Sequence, residues 1–160
     1  MINKLILTFF YVGLVKKAPG SFGSIAAVIF WLICNIYFTL SSIFWAIFLI
    51  IILIYGSIFI KYYSKNKKNI DDKSIILDEI LGQILTLEII FNYFQFEKNI
   101  EYLSIILLCL VNFRIFDIIK IFPINLIDQK IKNGFGVMFD DIMAAIFAII
   151  TSAIIILLTL

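Results

Sequence analysis

The sequence predicts an all-α fold: a multi-helix bundle embedded in a membrane, with four to five crossings, forming a single domain over residues 1–160. Two observations predict it. Hydrophobic residues make up 63% of the chain and charged residues 15%, with a mean hydropathy of +1.11, where soluble domains run near ~45–50% and ~25%. A soluble fold of this length has too little interior to hide that much apolar surface. The second observation is that the uncharged stretches are long enough to cross a bilayer.

Taken in order, Leu5–Val15 is uncharged but too short to span, which suits an interfacial or partly inserted helix. From Ala18 to Ile60 no residue is charged. As one helix this stretch would run ~64 Å, about twice a ~30 Å hydrocarbon core, so it must turn back. Thr39-Leu40-Ser41-Ser42 is the polar break near its centre, giving crossings at Phe22–Leu40 and Ser42–Ile60. Ile75–Phe96 and Tyr102–Ile121 are the next candidates, although they carry Asp78, Glu79, Glu88, Arg114 and Asp117. Ile142–Leu160 is uncharged and spans comfortably.

Five crossings leave three connections on one side of the membrane. They carry Lys16, Lys17, Lys61, Lys65, Lys67, Lys68, Lys73, Lys120, Lys130 and Lys132, against Lys98 on the other side. Short lysine-rich loops stay cytoplasmic. The Lys61–Lys73 stretch is the most polar excursion, short and mobile by composition.

Composition also removes chemistries. The chain has no histidine, which excludes Ser-His triads, His-ligated zinc hydrolases and phosphatases with a histidine nucleophile. Cys34 and Cys109 both lie in apolar runs and read as small buried hydrophobes. Four residues separate Cys109 from Arg114, one short of the cysteine-phosphatase spacing, and no Asp-x-Asp-x-Thr/Val run is present. A net charge of +2 gives no footprint for nucleic acid. The sequence is silent on oligomeric state.

Charges inside apolar helices cost roughly 2.5–3.5 kcal/mol each at mid-membrane, so their positions are informative. Asp78 and Glu79 open one crossing, Arg114, Asp117 and Lys120 close the next, and Asp140 and Asp141 open the last. All three groups fall at the lysine-rich side. Arg114, Asp117 and Lys120 at i, i+3, i+6 share a helix face, as do Glu79, Gly82, Gln83 and Thr86. Gly82 and Ala144-Ala145 are small enough for helices to approach closely. Each group has a packing interpretation: dipole-favoured first-turn acids, an intramembrane Arg114–Asp117 pair, and a snorkelling Lys120. Together, five carboxylates and two cations at one end of a bundle suit an anion plus a hard divalent cation such as magnesium. Ala18-Pro19-Gly20-Ser21-Phe22-Gly23-Ser24 precedes a helix and offers N–H groups and hydroxyls to a phosphate, or else a plain loop with Ser24 as N-cap. Gly134 and Gly136 would let backbone pack close to Asp140.

Four stretches occur in order over nearly the whole chain: Pro19-Gly20-Ser21-Phe22-Gly23-Ser24, Asp78-Glu79-Ile80-Leu81-Gly82, Phe113-Arg114-Ile115-Phe116-Asp117 with Lys120 and Pro123, and Gly134-Phe135-Gly136-Val137-Met138-Phe139-Asp140-Asp141. In this set and order the chain resembles the phosphatidylglycerophosphatase A family of bacterial lipid phosphatases. The resemblance implies a magnesium-dependent enzyme of the bacterial inner membrane, multi-pass, with its active site facing the cytoplasm. The implied reaction converts phosphatidylglycerophosphate to phosphatidylglycerol and phosphate. Asp78, Glu79, Asp117, Asp140 and Asp141 are then the expected catalytic carboxylates, with Asp78, Glu79 and Asp141 the expected Mg2+ ligands. Gly20, Ser21, Gly23, Ser24, Arg114 and Lys120 are the expected substrate-binding residues. Which carboxylate binds metal and which handles a proton stays open. The rival expectation is a small cation or proton transporter using Glu88, Asp117 and Arg114.

Overall fold

A computed structural model describes residues 2–38, 40–64, 73–96 and 100–159. Their order is α1 (Ile2–Leu7), a short 3-10 turn (Val12–Leu14), α2 (Pro19–Tyr37), α3 (Ser42–Ser64), α4 (Leu77–Phe94), α5 (Ile100–Ile119), α6 (Ile124–Lys130) and α7 (Gly134–Thr159). No strand occurs among the described residues. The all-α membrane bundle is as expected.

Among the described residues, four helices are long and apolar enough to cross a membrane: α2, α3, α5 and α7. The fifth long helix, α4, carries Asp78, Glu79 and Glu88 and packs against all four of the others. Most of its surface is buried against protein rather than open to lipid, which is why the most polar long helix is tolerated: Glu88 is hydrogen-bonded inside the bundle and Asp78 and Glu79 face the other charged residues. Leu77, Ile80, Leu81, Ile84 and Leu87 make it the centre of the core.

In the first half of α2, small residues face inward and large ones outward. On α2, Gly20, Gly23, Ser24 and Ala27 are buried, while Phe22, Ile25, Ile29, Ile33 and Ile36 are exposed at helical spacing. Lipid tails are as apolar as isoleucine, so close packing rather than water exclusion selects the interior of such a bundle. Gly82 makes this concrete. A Cβ there would lie 2.5 Å from the Phe113 ring and 2.9 Å from the Asp141 carbonyl oxygen, so glycine lets α4 meet α5 and α7 at once. Ala144, Ala145 and Ala148 on α7 pack with Phe113 and Ile124 in the same region. Cys34 and Cys109 are free thiols, both buried, as expected for small hydrophobes.

Several boundaries differ from the sequence expectation, each for a physical reason. The first crossing begins at Pro19, not Phe22, because proline lacks an N–H and is pre-set for the first helical position. Gly20, Ser21, Gly23 and Ser24 are therefore helical. Ser24 is not an N-cap: its hydroxyl donates to the Gly20 carbonyl at 3.2 Å, and Ala18, in the left-handed region at φ 50°, precedes the helix. The last helix starts at Gly134, well before Ile142, which places Asp140 and Asp141 in its second turn rather than its first. Between α5 and α7, where a plain connection was expected, α6 forms and anchors itself through buried Ile124. The N-terminal segment is not one continuous helix either. It ends in a turn that docks on the bundle, with Leu7 and Thr8 buried and the Leu7 carbonyl accepting the Ile76 N–H at 3.0 Å. The polar stretch at 65–72 lies outside the described residues.

Candidate active site

The bundle brings its charged residues to one end. The start of α2, the start of α4, the end of α5, α6 and the start of α7 surround a cavity of about 250 Å³. Pro19, Gly20, Asp78, Glu79, Arg114, Asp117, Lys120, Asp140 and Asp141 line it. The five expected catalytic carboxylates and both cations therefore meet, although they come from residues as much as sixty-three positions apart in the chain.

Three of the acids form the tightest group. Asp78, Glu79 and Asp141 each present a carboxylate oxygen within 4.8 Å of the other two. Asp78 Oδ1 also accepts the Glu79 backbone N–H at 3.1 Å. Glu79 Oε2 and Asp141 Oδ2 are buried and without a hydrogen-bond partner among the described residues, and so is Asp140 Oδ1. Buried carboxylates this close repel one another, and the oxygens without a partner lose hydration. A divalent cation with oxygen ligands answers both costs, so the donor set fits magnesium, with Asp78, Glu79 and Asp141 as the residues able to hold it.

The cations are arranged around this group. Arg114 Nη1 lies 2.6 Å from Asp117 Oδ2, one turn along α5, and 3.5 Å from the Ser24 hydroxyl. Its Nε has no partner among the described residues. Lys120 reaches Asp140 Oδ2 at 2.6 Å and Asp128 Oδ1 at 2.7 Å. Burial disfavours the Lys120 ammonium, but the hydrogen bonds it donates to Asp128 and Asp140 outweigh this and lift its pKa above the ordinary lysine value. Lys120 does not extend the α5 face at i+6 as the spacing predicts. The helix ends at Ile119, and Lys120 adopts φ 46°, so its side chain leaves the helix register and bridges α6 to α7. A non-glycine residue at such a φ is uncommon and costs backbone energy.

Of the expected substrate-binding residues, Gly20 lines the cavity. A Cβ there would collide with Glu79 Oε1 and stand 3.1 Å from both terminal nitrogens of Arg114. Gly20→Ala is expected to lower turnover by about ten- to hundredfold, because a displacement of ~1 Å at a reacting centre has that reach. Initial rates together with thermal melting check this; unchanged turnover would mean that the Glu79–Arg114 spacing is not critical. Gly23, Ser24 and Ser21 are not on the cavity wall. Gly23 packs on Ile76, Ser24 supports Arg114, and Ser21 faces an apolar groove beside it. Gly134 lies against the Ser57 carbonyl and Gly136 against that of Ile131, so both serve helix packing. Two lining residues were not singled out from the sequence. Asp128 lies on α6, a helix too short for periodicity to reveal, and Lys73 was counted only as a loop lysine.

Glu88 is apart from this site. Its Oε2 accepts from Trp31 Nε1 at 2.9 Å, and its Oε1 accepts from Asn92 Nδ2 at 2.5 Å. It lies nine residues beyond Glu79 on α4, ~14 Å along the axis, and ties α2 to α4. A transport path would need acids in relay through the core; here they gather at one end and Glu88 is engaged in packing.

The comparisons with known proteins agree with the geometry. A family model described as Phosphatidylglycerophosphatase A matches residues 5–156. A Haemophilus influenzae protein named Phosphatidylglycerophosphatase A is 34% identical over 146 residues, covering 91% of this chain and 83% of that protein. An Escherichia coli protein of the same name is 28% identical over 148 residues, covering 90% and 77%. No solved structure matches the chain. With the family model spanning almost its whole length, and with the four motif stretches that suggested the resemblance converging at the end of the bundle that holds the acidic cavity, this chain belongs to the phosphatidylglycerophosphatase A family of phosphatases.

Proposed function

We propose that the protein hydrolyses the terminal phosphomonoester of phosphatidylglycerophosphate, giving phosphatidylglycerol and phosphate, with Mg2+ as cofactor. The observation that carries the reading is the Asp78–Glu79–Asp141 group, within 4.8 Å, in one cavity with Arg114 and Lys120. Asp78, Glu79 and Asp141 would hold the magnesium ion, which would supply positive charge to the phosphoryl oxygens. Arg114 donates to the same oxygens and offsets the charge that grows on them as the bond breaks. Lys120 holds Asp140 through Oδ2, leaving Asp140 Oδ1 to orient a water and take its proton. Asp117 fixes the Arg114 guanidinium, and Gly20 leaves room for phosphate between Glu79 and Arg114.

The test is phosphate release from phosphatidylglycerophosphate by the purified chain in detergent, with and without a chelator. Release that stops on chelation and returns with magnesium is expected. Metal-independent release would remove magnesium from the proposal, and no release would remove the activity.

We further place the protein in the bacterial inner membrane with the cavity facing the cytoplasm. The lysine-rich connections support this, since Lys73, Lys120, Lys130 and Lys132 lie on the chain segments flanking the cavity. A reporter inserted within residues 65–72 should read as cytoplasmic and one within 97–99 as external. The opposite result would turn the site outward.

A further inference from the structure

We propose that the apolar groove between α2 and α5 seats one acyl chain of the lipid whose phosphate enters the charged cavity, an inference that rests on the lipid phosphatase reading above. The groove encloses about 460 Å³ and is walled by Ile25 from α2 and by Leu110, Val111, Ile115 and Ile118 from α5. Its two polar residues are Ser21 and Arg114. Arg114 also lines the charged cavity. One guanidinium thus borders both spaces, with the carboxylates of the cavity on one side and exposed aliphatic side chains on the other.

A lipid phosphomonoester has the same division. Its phosphate must reach the acids while its acyl chains, a glycerol unit away, stay in hydrocarbon. The groove opens toward lipid: Ile25, Val111, Ile115 and Ile118 are 43%, 52%, 44% and 66% exposed. Ser21 follows Gly20, which lines the cavity, and Ile25 is one helical turn further along α2. The α5 wall runs ~14 Å from Leu110 to Ile119 with Arg114 near its middle, so Leu110 and Val111 lie deeper than the guanidinium, by ~6 Å at Leu110. Bilayer and groove are equally apolar, so the groove does not draw lipid by the hydrophobic effect. Its contribution is register: a seated chain fixes the height and angle at which the phosphate meets Arg114.

The test compares dioleoyl and dihexanoyl phosphatidylglycerophosphate in mixed micelles, using the full chain and the variants Ile25→Trp and Val111→Trp. Ile150→Trp, on the exposed face of α7 away from the groove, is the control. Filling the groove should raise KM for the long-chain lipid about tenfold relative to the short-chain one, with the control ratio moving less than about twofold. Equal ratios in groove variants and control would make the groove ordinary lipid-facing surface and overturn the proposal. So would a change of oligomeric state in the groove variants, which would assign it to a second copy of the chain. A wild-type protein inactive on both lipids would instead defeat the phosphatase reading, and the acyl seat with it.

Discussion

Asp141→Asn is expected to reduce turnover by more than about 10²-fold while the protein folds at least as well as the wild type. Asparagine keeps the shape of the side chain and most of its hydrogen bonding but removes the negative charge that a magnesium ion needs. Each ~1.4 kcal/mol of lost transition-state stabilisation is tenfold in rate, and a charged ligand is worth several such units. Stability should move the other way. Asp141 is buried on α7, its Oδ2 has no partner among the described residues, and two further carboxylates lie within 4.8 Å. Without a cation this arrangement is costly, so neutralising one member relieves repulsion. Magnesium should raise the melting temperature of the wild type by binding the folded state, and that rise should vanish in the variant. Asp78→Asn and Glu79→Gln should behave alike if the three acids act as one group. Near-normal, chelator-sensitive turnover in folded Asp141→Asn would reduce Asp141 to a helix residue that happens to be charged.

The acids and cations of this cavity were legible in the sequence because the membrane makes them conspicuous. Against a background of 15% charged residues, a carboxylate pair such as Asp78-Glu79 inside an apolar run has a cost that something must offset, and the physics of insertion marks it. The same contrast located the turn between α2 and α3. Local geometry was less legible. The spacing of Arg114, Asp117 and Lys120 fits one helix face, yet Lys120 reaches Asp140 only because the helix ends before it and the backbone turns left-handed at φ 46°. No residue type other than glycine advertises that conformation. Asp140 and Asp141 were expected to open the last crossing because the uncharged run begins only at Ile142. The helix reaches back to Gly134 because Gly134 and Gly136 pack on the Ser57 and Ile131 carbonyls, a tertiary contact invisible in a linear pattern. Helix α6 was missed because seven residues carry too little periodicity, and with it went Asp128. The centrality of α4 was unreadable for a related reason. Its carboxylates make it the least membrane-like of the long helices, and only the packed bundle shows that four other helices shield it.

Arg114→Gln is expected to lower kcat by about 10²- to 10³-fold with a smaller change in KM, the loss typical of removing a donor aimed at charge that develops in the transition state. The geometry gives two further expectations. Arg114→Lys keeps the positive charge but loses the planar fork, so it should recover only part of the activity, ending about tenfold or more below wild type. Arg114 also neutralises Asp117, whose side chain is 12% exposed, so Arg114→Gln should melt lower by leaving that carboxylate unpaired. Asp117→Asn in the same chain removes the orphaned charge and should restore the melting temperature. It should not restore turnover, because the guanidinium between Gly20, Ser24 and Asp117 is then still missing from the cavity wall. Melting and turnover therefore separate the two roles of one residue. If the double variant regains both, the Arg114–Asp117 pair is a packing device of the bundle, and the positive charge facing the phosphate must come from Lys120 or Lys73 alone.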